Sequence, residues 1–95
     1  VMPYDSENEA IAMANATNYG LSSSVWSADA SRAVALAEWL EAGFTNINSH
    51  GPTAMDGLSP FGGVKQSGIG RNFGFEGIRQ FQEVHSISGA SGTIF

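Results

Sequence analysis

Residues 60–71 read Pro-Phe-Gly-Gly-Val-Lys-Gln-Ser-Gly-Ile-Gly-Arg, with four glycines in twelve positions. No helical or strand period runs through this block, so its backbone is expected to turn at positive φ or to approach other backbone where a side chain would clash. The chain holds 12 glycines in 95 residues, against a usual share of ~7%. Most of them follow Gly43. From residue 49 to residue 70 the sequence is rich in Gly, Pro and Ser and predicts one long structured loop, a feature that in compact domains usually serves function.

A phosphate cradle is the first chemistry to test for such a block. A Walker A loop needs Gly-x-x-x-x-Gly-Lys-Ser/Thr, and Lys65 is followed by Gln66. A dinucleotide fingerprint needs Gly-x-Gly-x-x-Gly after a strand, and the glycine after Gly68-Ile69-Gly70 arrives one residue late, at Gly74. Both patterns fail.

Around the loop the sequence alternates helix and strand signals. Ser6-Glu7-Asn8-Glu9 fits a capping box with Ser6 as N-cap, and Ala10, Ile11 and Ala14 then give a narrow apolar face that Gly20 is expected to stop. Residues 21–27, with Val25 and Trp26, predict a short strand. Asp29 or Ser27 can cap a second helix whose Ala33, Leu36, Ala37 and Leu40 follow the i, i+3, i+4, i+7 rule, with Gly43 as its end. Residues 44–48 predict a strand, 75–81 a short helix and 83–88 an edge strand; 89–95 give little signal. This order implies an α/β fold with a partial parallel sheet and flanking helices, a segment of a larger domain.

Composition removes several functions. The formal net charge is −5, and the four basic residues, Arg32, Lys65, Arg71 and Arg79, are scattered, so no cationic track for nucleic acid exists. The apolar stretch at 33–40 is too short to span a bilayer, and the first residues do not resemble a signal peptide. Zero cysteines removes disulfides, thiolate metal sites and thiol nucleophiles together, and favours a cytoplasmic setting. His50 and His85 lack the further ligands that zinc or iron requires. Ser67 lies outside a Gly-x-Ser-x-Gly elbow. Glu38 and Glu41 read as a solvated face. Met55, Trp26, Trp39, Phe44 and Phe61 read as core side chains rather than cofactor contacts.

The block at 60–71 closely resembles the C-terminal signature of the NAD(P)-dependent aldehyde dehydrogenase superfamily. Agreement continues in Asn18-Tyr19-Gly20-Leu21 leading to Val25-Trp26, in Leu40-Glu41-Ala42-Gly43 leading to Asn48, and in Gly77-Ile78 through Phe81 to Glu83-Val84. It covers roughly residues 1–88. The resemblance implies that residues 1–82 are the C-terminal segment of a catalytic domain, and that 83–95 form a C-terminal oligomerisation strand and tail. It implies a parent enzyme in which a cysteine thiolate attacks the aldehyde to give a thiohemiacetal, hydride passes to NAD or NADP, and water releases the acid, with a glutamate as general base. None of these reacting groups falls in this chain. A cofactor-contacting Glu-x-Phe-Gly-Pro-like motif would lie just before Val1.

Carried over residue by residue, Phe61 matches an aromatic lining the aldehyde pocket. Residues 49–59 match the variable stretch that shapes substrate choice, with His50 and Met55 as its expected pocket contributors. Asn48, Gly62, Gly63, Lys65, Ser67, Gly68 and Arg71 match positions read as architectural. Asn46 stands where the family commonly has an aromatic, and Asn72 where it usually has glutamate. The chain alone is expected to bind no cofactor and to be inactive. Its expected partners are the rest of the dehydrogenase chain and further copies, with a small aldehyde as the parent's substrate. The competing readings are a stand-alone oligomerisation or interaction module on the same fold, and a small nucleotide-using enzyme.

Overall fold

A computed structural model describes residues 1–93 of the chain. Helix α1, Glu7–Asn15, begins where the capping pattern places it: Ser6 is extended and its hydroxyl accepts the Glu9 N–H at 3.2 Å. The Glu9 carboxylate reaches back one residue further than a capping box requires, to the Asp5 N–H at 2.8 Å. The helix ends at Asn15, well short of Gly20. Thr17 explains the early stop, since its hydroxyl takes the Tyr19 N–H at 3.2 Å and offers the chain a local turn in place of another helical bond. Gly20 does a different task. It is buried in strand β1, Tyr19–Gly20, where a Cβ would strike the Glu41 carbonyl and lie 2.8 Å from Val64 Cγ2.

Strand β2, Ser22–Val25, runs parallel to β3, Phe44–Ile47, with Ser22 opposite Phe44 and Val25 opposite Ile47. The serines tolerate a strand because Ser23 Oγ meets Thr45 Oγ1 across it at 2.8 Å. Helix α2, Ala30–Ala37, makes the crossover; Asp29 caps it by accepting the Arg32 N–H at 3.1 Å, and Ala33 is buried against the strands. Asn48 lengthens the pair by imitation. In a left-handed conformation (φ 51°), its side-chain amide accepts the Ser27 N–H and donates to the Ser27 carbonyl, both at 2.8 Å.

Two expectations need correction. The sheet is two separate two-stranded pieces, and the second is antiparallel: β1 pairs with β4, Val64–Lys65, inside the stretch expected to be loop. Glycine and serine on either side of β4 hide its strand signal, while a long-range bond from the Gln66 N–H to the Asn18 carbonyl at 2.8 Å fixes it. The edge strand expected at 83–88 forms no ladder with the described residues, and this whole segment is exposed. Helix α3, Gly74–Arg79, precedes it.

Packing is sparse. Ala33 is the single buried hydrophobic residue among those described, and no large side chain is fully buried. Trp26 and Trp39, expected in a core, are 65% and 70% exposed. The radius of gyration is 18.8 Å with extents of 65 × 26 × 26 Å, where a compact chain of this length would reach about 12 Å. Apolar faces are formed here that these residues do not themselves cover.

Two outcomes follow. The isolated 95-residue chain should self-associate and melt without a sharp transition; light scattering that finds a 10.0 kDa monomer with a cooperative melt would contradict this. In the longest polypeptide that carries these residues, Asn48→Ala should cost about 2 kcal/mol, from two lost amide bonds and from alanine's poorer tolerance of positive φ, and Asn48→Gly about half of that. Urea midpoints that rank the two variants the other way would count against the sheet-extending role.

Candidate functional site

Phe61 is the centre of the site, and backbone holds it. Its N–H donates to the Asn72 carbonyl at 2.8 Å and its carbonyl accepts from the Asn72 N–H at 2.7 Å, an isolated antiparallel bridge. Asn72, at a position where an acidic side chain was expected, therefore contributes through its main chain. The Phe61 ring is half-buried and meets Phe44 of β3 edge to face, with centroids 5.5 Å apart and planes at 61°. This is a favoured aromatic geometry.

The glycines on either side of this contact divide into two kinds. Gly62 and Gly63 allow close approach: a Cβ on Gly43 would overlap the Gly62 carbonyl, and one on Gly62 would lie 2.9 Å from Arg71 Cδ. Gly68 and Gly70 instead supply positive φ, at 113° and 88°, to turn the chain back toward Arg71. The expectation of turning glycines thus holds for the second pair, while the first pair serves contact.

Both cations of the block are committed to protein. Lys65, itself at φ 54°, donates through Nζ to the carbonyls of Asn15 at 2.9 Å and Thr17 at 3.2 Å, and pairs with the Glu41 carboxylate. All three ammonium protons have acceptors. Arg71 Nη1 donates to the Gly63 carbonyl at 2.9 Å and the Gly70 carbonyl at 2.7 Å. Ser67 Oγ accepts the Gly20 N–H at 2.9 Å. A phosphate at this loop would have to displace these bonds. Glu41 is exposed, as expected of a solvated face, and from beyond the end of α2 at Ala37 it also pairs with Lys65.

The three expected pocket residues stand in different local settings. His50 is exposed just before Gly51, which has φ 86°, and Met55 is half-buried at the end of a short 3-10 turn, Pro52–Ala54. An apolar groove of about 710 Å³ lies elsewhere, walled by Leu58, Phe73, Phe75, Gly77, Ile78 and Phe81. The sequence did carry a signal for it, since 75, 78 and 81 fall three apart on one helical face. No group of three or more His, Asp or Glu side chains able to hold a metal occurs among the described residues.

Sequence reasoning also missed Asn15. Its side-chain amide donates to the Trp39 carbonyl at 2.8 Å and accepts the Glu41 N–H at 2.9 Å, while its own carbonyl accepts from Lys65. Nothing in a lone asparagine at a helix end announces that it will close the end of another helix.

This arrangement is shared with known proteins. The model of the aldehyde dehydrogenase family matches residues 1–87. A 3-succinoylsemialdehyde-pyridine dehydrogenase from a Pseudomonas species is 43% identical over 98% of this chain, and a geranial dehydrogenase from Castellaniella defragrans is 42% identical over 92% of it. The chain spans only 19% and 18% of the length of these two relatives. A crystal structure of a Mycobacterium tuberculosis aldehyde dehydrogenase complexed with NAD+ superposes on 99% of the chain at 39% identity with a TM-score of 0.91, again using 19% of that protein. Betaine aldehyde dehydrogenase from Staphylococcus aureus, also with NAD+, matches 82% of the chain and 15% of its own length at a TM-score of 0.76. With the family matched across more than nine-tenths of its length, the chain belongs to the aldehyde dehydrogenase family.

Proposed function

We propose that this chain is the C-terminal segment of an NAD(P)-dependent enzyme that oxidises an aldehyde to a carboxylic acid, and that it supplies part of the substrate wall rather than the reacting groups. The observation that carries this reading is the pairing of a backbone-clamped aromatic, Phe61 against Phe44, with uncovered apolar faces and a single buried hydrophobic residue among those described. Such a piece needs a larger body to pack against. A stand-alone interaction module would have to stabilise itself, and burial on this scale does not offset the ordering entropy of 95 residues.

The chemistry sets the division of labour. A cysteine thiolate attacking the aldehyde carbon gives a thiohemiacetal, and these 95 residues include no cysteine. Nor do they fit a dinucleotide: the glycine block lacks the fingerprint spacing, and Lys65 and Arg71 are bonded to main-chain carbonyls. Nucleophile and cofactor site are therefore assigned to other parts of the polypeptide. Within this segment, Phe61 presents an apolar face to the aldehyde's side chain. The loop at 49–59, carrying His50 and Met55, adjusts pocket shape from the rim. Residues 83–95 are assigned to pairing with a second copy, which would supply the partner strand that 83–88 lack; Ile94 and Phe95 lie outside the described residues.

Two measurements bear on this. The isolated chain should give no aldehyde-dependent reduction of NAD+ or NADP+ above buffer, and turnover would overturn the assignment of the nucleophile elsewhere. In the longest polypeptide carrying the segment, Phe61→Ala should lower kcat/KM for well-bound aldehydes about tenfold, mainly through KM, as loss of an apolar wall predicts. Unchanged kinetics across several aldehydes would remove Phe61 from the pocket.

A further inference from the structure

We infer that Asn15, at the C-terminal end of α1, is a positioning residue for the Phe44–Phe61 wall, a proposal that rests on Phe61 facing the aldehyde. Phe44 and Phe61 come from two segments far apart in sequence, and their contact depends on how these segments are set against each other. Asn15 holds both. Its amide accepts the Glu41 N–H at 2.9 Å and donates to the Trp39 carbonyl at 2.8 Å, fixing the chain three residues before Phe44. Its carbonyl accepts from Lys65 Nζ at 2.9 Å, fixing the chain four residues after Phe61.

The circuit closes through the Lys65–Glu41 ion pair, so the two segments are joined to Asn15 and to each other. Little slack remains between the junction and the rings. The Gly43 N–H donates to the Gly20 carbonyl at 3.0 Å, and Gly43 sits directly against the Gly62 carbonyl. Arg71 then pins Gly63. A shift at Glu41 or Lys65 is therefore passed to the rings through main chain, with no flexible side chain to absorb it. Truncating Asn15 frees the Glu41 N–H and the Trp39 carbonyl at once and leaves Lys65 as the remaining tie.

The experiment uses the longest polypeptide that carries this segment, with Asn15→Ala, Asn15→Asp and Phe61→Ala compared by kinetics and by amide hydrogen exchange. Propanal and nonanal serve as short and long probes. Asn15→Ala should raise KM for nonanal relative to propanal about fivefold, in the same direction as Phe61→Ala and with KM for NAD(P)+ unchanged. Exchange at the Gly43, Phe61 and Asn72 amides should quicken about tenfold while that at Asn48, at the far end of β3, does not. Asn15→Asp keeps the acceptor for the Glu41 N–H and should fall between Asn15→Ala and the parent.

If Phe61→Ala changes selectivity but Asn15→Ala only lowers the melting temperature, the proposal fails and the pocket reading stands. If Phe61→Ala has no effect, the pocket reading fails, and exchange alone decides the positioning role: faster exchange at Phe61 and Gly43 supports it, unchanged exchange overturns it. Should Asn15→Ala not fold, the same comparisons are read from Asn15→Asp.

Discussion

Two backbones meet without side chains between them where Gly43 faces Gly62 and Gly63. This contact determines what the rest of the structure can be. It brings the turn after α2 against the glycine-rich block, and so sets Phe44 beside Phe61. A β-carbon at Gly43 would occupy the position of the Gly62 carbonyl, so the two segments could no longer close. The polar bonds nearby then act on an approach that sterics already permit. Lys65 joins two carbonyls at the end of α1 to the Glu41 carboxylate, and Ser67 and Gln66 bond to Gly20 and Asn18. Each of these ties is modest alone, because the groups are partly solvated. Their number across so few residues keeps the block in one arrangement.

The local elements were legible because their signals are local. Ser6 and Asp29 cap helices as their patterns predict, and the spacing of Ala33 names the face that turns inward. What could not be read are features that depend on distant partners. Strand β4 has no alternation and exists because Tyr19 and Gly20 lie opposite it. Helix α1 stops early because the Thr17 hydroxyl and the Lys65 ammonium, 48 residues away, bond the turn that follows it. Glu41 is solvated as its pattern predicts, but its pairing with Lys65, 24 residues away, could not be read. In the site, Phe61 and the glycines beside it were visible as a motif. Asn15 gave no sign at all, since its importance lies in which main-chain groups happen to face it.

The exposed tryptophans belong to the same account. Trp26 and Trp39 read as core because large aromatics usually are, yet none of the described residues buries them. The chain spans 19% of a homologous dehydrogenase, and on the proposed reading these surfaces pack against other parts of that fold. The groove between Leu58 and α3 has the same character, with Phe75 and Phe81 82% and 91% exposed. Apolar periodicity and accessibility therefore disagree here, as the proposed reading of the chain as one segment of a larger body requires.

The two halves of the long loop differ in restraint, and on the proposed reading this difference bears on substrate choice. From residue 60 to residue 67 nearly every position is wedged, paired or hydrogen-bonded. From 49 to 59 restraint is light: Gly51 and Gly57 have open space around them, and order comes chiefly from the Pro52–Ala54 turn and from Asp56, whose carboxylate accepts the Leu58 N–H at 3.0 Å and the Ser59 hydroxyl at 3.1 Å. Side chains at 50 and 55 can change without disturbing a tight contact, whereas a change at 43, 62 or 63 would move the wall itself. If the loop lines a pocket as proposed, variation in its shape is least costly just upstream of the part that must stay fixed, and this ordering follows from backbone packing alone.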